Sequence, residues 1–522
     1  MLLSAGRSAV ATHVESSAEV RSQRIVLFDA SLRDERGRQD AVPTYRITEI
    51  TSQLAEHIVQ VYDRTMQSDL LSEFYHSAPT ANCFEEPANP WSDEGFFAWK
   101  DAIFYGRCAR GTLQRSPMRD LCDVSEYAVW HDGRCSLPFD PAEVAENLRR
   151  ERYVPIPHSS SRWIFDLIRK TYYSLRPYLN LTCRRPLQRL YLKTRRGFSF
   201  PQWPVDTSVE RLCEILISEV CERSRDGKVP FIWFWPEGAQ GCVMVTHDIE
   251  ERAGLDFCGQ LMDIDEAFGV RSSFQIVPEG RYALPVGLVD EMVRRGFEVN
   301  VQDLNHDGML FRDRVEFERR AVRIEEYRRQ LGANGFRSAV MYRNQEWYDQ
   351  LHFQFDMSVP NVAHLEPQRG GCCTVMPYFV ERMVELPLTT TQDYSLFHIL
   401  GDYSTSLWEQ QIDLILRKNG LISFLVHPDY IRGGRERDVY LELLRYLAHM
   451  REHRKLWFAL PGEINDWWRQ RAAMELVREE IGWAIRGPGS ERAHIAYARI
   501  MEGNLVYELS SAERQQGHLQ YR

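Results

Sequence analysis

Long apolar runs are missing from this sequence. No stretch is long enough to span a bilayer, and the opening MLLSAGRSAVATHVESS meets Arg7 and Glu15 before any apolar core can form. A signal peptide and a membrane anchor are therefore not expected, and the expected location is the cytoplasm. Excess positive charge is missing as well. The 64 Lys and Arg face 74 Asp and Glu, a net −10, which is the wrong sign for a nucleic-acid binder. The eleven cysteines lack zinc-ribbon spacing, and Cys372 and Cys373 are adjacent, which suits free thiols better than a disulfide framework. Internal repeats and low-complexity tracts are absent. What remains is 44% hydrophobic and 26% charged, an ordinary globular composition with length for several domains.

Texture divides the chain into five parts. Residues 1–20 read as a loose tail. Residues 21–148 read as a mixed α/β domain, with a strand at Arg24–Phe28, a helix over about 48–72 and a helix start at Asp140-Pro141. Residues 149–235 read as a basic, aromatic-rich linker. Within it, 149–196 holds thirteen Arg or Lys against Glu151 and Asp166, a net +11 that leaves −21 on the rest of the chain. Residues 236–475 read as a barrel, and 476–522 as a C-terminal helical extension and tail.

The barrel expectation rests on a regular beat. Apolar strand candidates recur at 242–247, 273–278, 298–302, 337–343, 355–359, 384–388, 421–427 and 455–460, with helical patterns between most of them. In 315–331, Phe317, Ala321, Ile324 and Leu331 share one helical face. Such alternation predicts a deformed (β/α) barrel of seven to eight strands, whose function collects at the C-terminal strand ends. The residues there are Thr246-His247-Asp248-Ile249-Glu250, Gln302-Asp303-Leu304-Asn305-His306-Asp307, Arg343-Asn344 and His427-Pro428-Asp429. Singly, each has an ordinary role: Asp248 as a helix cap, Asp303 or Asp307 in a turn, His427 as a satisfied strand-end histidine. Together they are more ionisable groups than a core tolerates unless paired, wetted or metal-bound. From residue 241 onward there is no dinucleotide fingerprint, phosphate loop or nucleophile elbow.

Four of these segments give the region 230–470 a resemblance to the NodB-homology polysaccharide deacetylases. Thr246-His247-Asp248-Ile249-Glu250 looks like that family's first motif, and Gln302 to His306 like its His-x-x-x-His. Arg337-Ser338-Ala339 is similar to its arginine motif, and Leu425-Val426-His427-Pro428 to its late His-Pro strand. The resemblance implies a hydrolase removing acetyl groups from amino sugars with one divalent metal, zinc in the first instance. By carry-over Asp248 is the base, His427 the acid and Arg337 the tether of Asp248. Glu250, Gln302 and His306 fall at the metal positions, and Arg343, Asn344 and Asp303 are the expected substrate contacts. This sequence departs from the pattern at Glu250 for aspartate, Gln302 for histidine and Ala339 for proline. Losing an imidazole weakens a zinc site.

Two functions compete on that basis. One is metal-assisted hydrolysis of the acetamido bond of an N-acetylated glycan or lipid-linked sugar. The other is a catalytically degenerate relative that binds a glycan or serves as an assembly partner. The expected partners include no nucleic acid. The basic segment 149–196 has two readings of its own: a linker packed between domains, or peripheral contact with an anionic membrane at its inner face.

Overall fold

The computed structural model describes residues 70–77, 83–85, 93–109, 113–117, 121–155, 200–480 and 482–510. The strand at 24–28, most of the helix at 48–72 and residues 156–199 of the basic segment lie outside them.

In the first described part, helix α1 (Leu70–Tyr75) is followed by strands β1 (Phe84–Glu85), β2 (Gly95–Trp99), β3 (Ala102–Gly106), β4 (Val129–His131) and β5 (Arg134–Ser136). β2 and β3 pair as a ribbon, while β1, β5 and β4 form a small sheet. Helix α2 (Pro141–Arg149) starts where expected: Asp140 accepts a hydrogen bond from the Ala142 N–H at 2.8 Å, and Pro141 takes the first turn. Helix α3 (Ser208–Arg223) and strand β6 (Lys228–Ile232) lead into the barrel.

Seven parallel strands build that barrel. They are β7 (Gly241–Ile249), β8 (Ser273–Ile276), β9 (Glu298–Gln302), β10 (Gly335–Arg337), β11 (Phe355–Asp356), β13 (Met383–Glu385) and β14 (Leu421–Leu425), in spatial order 13-11-10-9-8-7-14. β12 (Tyr378–Val380) adds an antiparallel edge beside β13. All nine residues of β7 are buried, as a strand covered on both faces requires. Between the strands lie α4 (Arg252–Ala267), α5 (Leu288–Arg294), α6 (Arg314–Leu331), α7 (Ser406–Leu416) and α8 (Gly434–His453). α6 shows why: Asp313 caps its start, Gly332 at φ 63° ends it, and Phe317, Ala321 and Ile324 are buried on its inner face. β15 (Leu456–Phe458) pairs with the first half of β7, and α9 (Pro461–Ala472) follows.

The barrel does not close by a regular ladder. The free edge of β14 meets the chain leaving β13, where the Thr390 N–H donates to the Ser423 carbonyl at 3.3 Å. The Thr389 and Thr390 hydroxyls donate to the Leu421 and Ser423 carbonyls, each at 2.7 Å. Side chains therefore satisfy an edge that would otherwise be bare.

Two expectations are corrected. The run at 337–343 is strand only through Arg337, because Val340 and Met341 turn left-handed at φ 60° and 54°. The described residues of the C-terminal segment are not a helical extension. They form the hairpins β16 (Glu475–Glu479) with β17 (Gly482–Arg486) and β18 (Ile495–Met501) with β19 (Asn504–Leu509), and β18 also pairs with β6. Glu502-Gly503, both at positive φ, turn the second hairpin. One apolar core joins residues of the first described part, such as Phe97 and Leu148, to Met244 and Phe355 of the barrel and Ile495 near the C-terminus.

Candidate active site at the barrel strand ends

Strand alternation sorts the Thr246–Glu250 segment. Thr246, Asp248 and Glu250 point one way and His247 and Ile249 the other. His247 is thus turned outward, its ring nitrogens 3.0 Å from Asp265 Oδ2 and 2.9 Å from the Val426 carbonyl. Tyr440 and Ser272 donate to the same Asp265 carboxylate, which makes this a structural network behind the strand.

Two adjacent strand ends, those of β9 and β10, converge on Asp248 of β7. Gln302, closing β9, donates from Nε2 to Asp248 Oδ2 at 2.8 Å. Arg337, closing β10, brings Nε to 3.7 Å from Asp248 Oδ1 and donates from Nη2 to Thr246 Oγ1 at 3.1 Å. Burial pushes the Asp248 carboxyl up, and the Arg337 charge offsets part of that.

Glu250 lies between two imidazoles. His306, in the loop after β9 at φ 56°, places Nε2 2.8 Å from Glu250 Oε1, and His427, just past β14, places Nε2 3.4 Å from the same oxygen. Burial pushes the Glu250 carboxyl up, but His306 and His427 outweigh it and hold the group well below the usual carboxylate range. His427 is gripped twice by Asp393: Nδ1 is 2.6 Å from Oδ1, and its backbone N–H donates to Oδ2 at 2.7 Å. Burial pulls the imidazole down, yet the Asp393 and Glu250 charges carry it well above its ordinary value. When protonated, His427 would donate from Nδ1 to Asp393 and present its Nε2 proton to Glu250. Asp429 fixes the turn after β7, accepting from the Gly254 N–H at 2.7 Å and from the Glu250 and Glu251 N–H groups at 3.3 Å.

The sequence missed Asp393. It follows β13 in a polar stretch, Thr389-Thr390-Thr391-Gln392, that carries no motif and no period. The expected substrate contacts are engaged elsewhere. Arg343 is buried, with its guanidinium on Glu151 and Nη1 donating to the Met341 carbonyl at 2.8 Å. Asn344 caps the turn after it by accepting from the Glu346 N–H at 3.3 Å. Both lie well beyond the end of β10, since that strand stops at Arg337. Asp303, at φ 51°, accepts from the Leu304 N–H at 2.6 Å, and its own N–H donates to the Arg337 carbonyl at 2.8 Å.

The donors present do not make a three-ligand zinc site. Among the described residues, no three His, Cys, Asp or Glu side chains are grouped to hold a metal ion. Glu250 and His306 supply two donors. At the third position Gln302 must turn its N–H to the Asp248 carboxylate, which leaves only a neutral amide oxygen, and structural zinc chemistry relies on nitrogen, sulfur and carboxylate ligands.

No protein-family model matches this chain, and no curated protein matches it. Solved structures do. The peptidoglycan deacetylase of Bacillus subtilis is similar over 46% of this chain and 96% of its own, at 12% identity and a TM-score of 0.30. The PuuE allantoinase covers 45% and is itself covered over 92%, at 13% identity and 0.36. The CE4 domain of a multidomain xylanase from the hindgut metagenome of Trinervitermes trinervoides covers 48% and is covered over 98%, at 12% identity and 0.29.

Proposed function

We propose that the chain hydrolyses the acetamido C–N bond of an N-acetylated amino sugar, within a glycan or lipid-linked sugar of cell-surface metabolism. The observation that carries this is the geometry of one buried cluster, in which His427 Nδ1 lies 2.6 Å from Asp393 Oδ1 and Asp248 Oδ1 lies 3.7 Å from Arg337 Nε. Asp248 Oδ1 has no hydrogen-bond partner, so it is available to a water molecule. As water attacks the acetyl carbonyl, Asp248 takes its proton. The C–N bond then breaks as His427 Nε2 protonates the departing nitrogen, giving acetate and a free amine. Glu250 orients both imidazoles, and Arg337 holds Asp248 against its burial. No step in this sequence passes through a metal.

The Gln302–Asp248 hydrogen bond favours a second reading, a glycan-binding barrel that has lost turnover. Acetate release from N-acetylated glycans, with metal analysis of the same sample, separates the two. Release that Asp248→Asn abolishes supports hydrolysis, whereas glycan binding without release supports the second reading.

A lipid-linked substrate would suit the basic segment, of which Arg149, Arg150 and Arg152 are described and paired with Glu73, Glu146 and Glu346. No helix among the described residues is long and apolar enough to cross a membrane. Co-sedimentation with anionic vesicles at low salt, lost at high salt, tests peripheral contact through 149–196.

A further inference from the structure

Of the 15 histidines in the chain, only His449 and His453 stand four residues apart. Both sit in the last turns of α8, so the spacing puts them on one face of the helix. Both are exposed, and their ring centroids are 4.0 Å apart with an interplanar angle of 35°. His453 Nδ1 is 2.8 Å from the His449 carbonyl oxygen. A carbonyl oxygen only accepts, so Nδ1 carries the hydrogen of that bond, and in the neutral ring Nε2 holds the lone pair. The same bond orients the ring, as the outer hydrogen bond of a metal-binding imidazole does.

The surroundings suit a cation. The last carbonyls of a helix give that end a partial negative charge. Arg451, between the two histidines in sequence, is engaged elsewhere: its guanidinium donates to the Phe268 and Gly269 carbonyls, each at 2.8 Å. Imidazole nitrogens suit zinc, nickel and copper, whereas magnesium and calcium take oxygen ligands. Among the described residues no third His, Cys, Asp or Glu side chain joins the pair, so water completes the coordination of any ion held there.

The pair is remote from the cluster at the strand ends. Just after His453 the chain enters β15, where Leu456 is in register with Gly241, the first residue of β7. Asp248 lies at the other end of that strand, about 23 Å further on at roughly 3.3 Å per residue.

We infer that His449 and His453 form a surface site for a divalent transition metal of the zinc and nickel class, held by two imidazoles and water. The inference does not depend on hydrolysis. It means that metal can accompany this protein without entering the Asp248 cluster.

The test is calorimetric titration of the full chain with Zn²⁺, Ni²⁺ and Mg²⁺. Zn²⁺ and Ni²⁺ should each bind, and Mg²⁺ should not. His449→Ala and His453→Ala should each weaken the tightest Ni²⁺ binding by at least roughly tenfold, since losing a direct ligand costs no less than losing its hydrogen-bonded partner. The double variant should match either single one, because one imidazole cannot chelate. Alanine is the best helix former, so these exposed substitutions keep α8 intact. His131→Ala removes an exposed histidine of β4 and should change nothing. No Ni²⁺ binding by the parent, affinity unchanged in His449→Ala and His453→Ala, or an equal loss in His131→Ala would overturn the site.

Discussion

Glu210→Gln should change how stability depends on pH, and the size of the change follows from where Glu210 sits. It projects from α3 with 2% exposure. Its Oε1 accepts from the Thr374 hydroxyl and from the Val375 N–H at 3.1 Å, while Oε2 has no hydrogen-bond partner. Burial is the largest influence and, against those two donors and Lys418, pushes the carboxyl from 4.5 up to about 7. A carboxyl raised on folding favours its protonated form in the folded state. Its contribution is thus fully present below the unfolded value of 4.5 and is lost as pH rises through about 7. At roughly 1.4 kcal/mol per unit, the loss by pH 8 is about 3 kcal/mol. Glutamine keeps an acceptor for Thr374 and Val375 and cannot ionise. Any fixed cost of its extra N–H is the same at every pH, so the slope is the quantity to read. Urea midpoints of parent and variant at pH 4.5, 6 and 8 should diverge steadily in favour of glutamine, by up to about 3 kcal/mol. A constant offset across that range would refute the assignment of Glu210 as a buried, reluctant carboxylate.

His427→Ala should slow acetate release by roughly a hundred- to ten-thousand-fold in steady-state assays, the usual worth of a general acid; a loss below tenfold would return His427 to a structural role. Gln302→His should strengthen zinc binding in calorimetry by at least roughly tenfold, the smaller end of what even an indirect metal partner contributes. No gain would mean that position 302 serves Asp248 alone. Arg343→Leu leaves Glu151 buried without its guanidinium and should cost about 3–5 kcal/mol in chemical denaturation. A cost under about 1 kcal/mol would show that the pair is exposed to water in solution.

Much of the barrel was legible because its signals are local. Continuous apolar runs ended in polar residues, and the period of α6 appeared in the sequence as it does in the structure. The period of two within Thr246–Glu250 already separates His247 from Asp248. Arg337 was harder. Apolar residues continue after it to Tyr342, and only the left-handed turn at Val340 and Met341 shows that the strand has ended. They pack the barrel top as a turn, which composition does not distinguish from strand. Asp393 and the Arg343–Glu151 pair depend on contacts 34 and 192 residues apart, for which one sequence offers no signal. The C-terminal hairpins were not legible, because their short apolar runs of five to seven residues carry no clear period of two and were read as helix.

The hydroxyl-stitched seam between β14 and the chain leaving β13 has a consequence for motion. Elsewhere around the barrel, parting two strands breaks a backbone ladder; here it breaks three threonine side-chain bonds and one long amide bond. Breathing should therefore begin at this seam, and the Thr390 amide should exchange with deuterium sooner than those in the middle of β7. Asp393 lies only three residues beyond Thr390, on the same strip of chain. Each opening would draw its carboxylate away from His427, so the imidazole proposed as the acid is held in place only while the seam is shut.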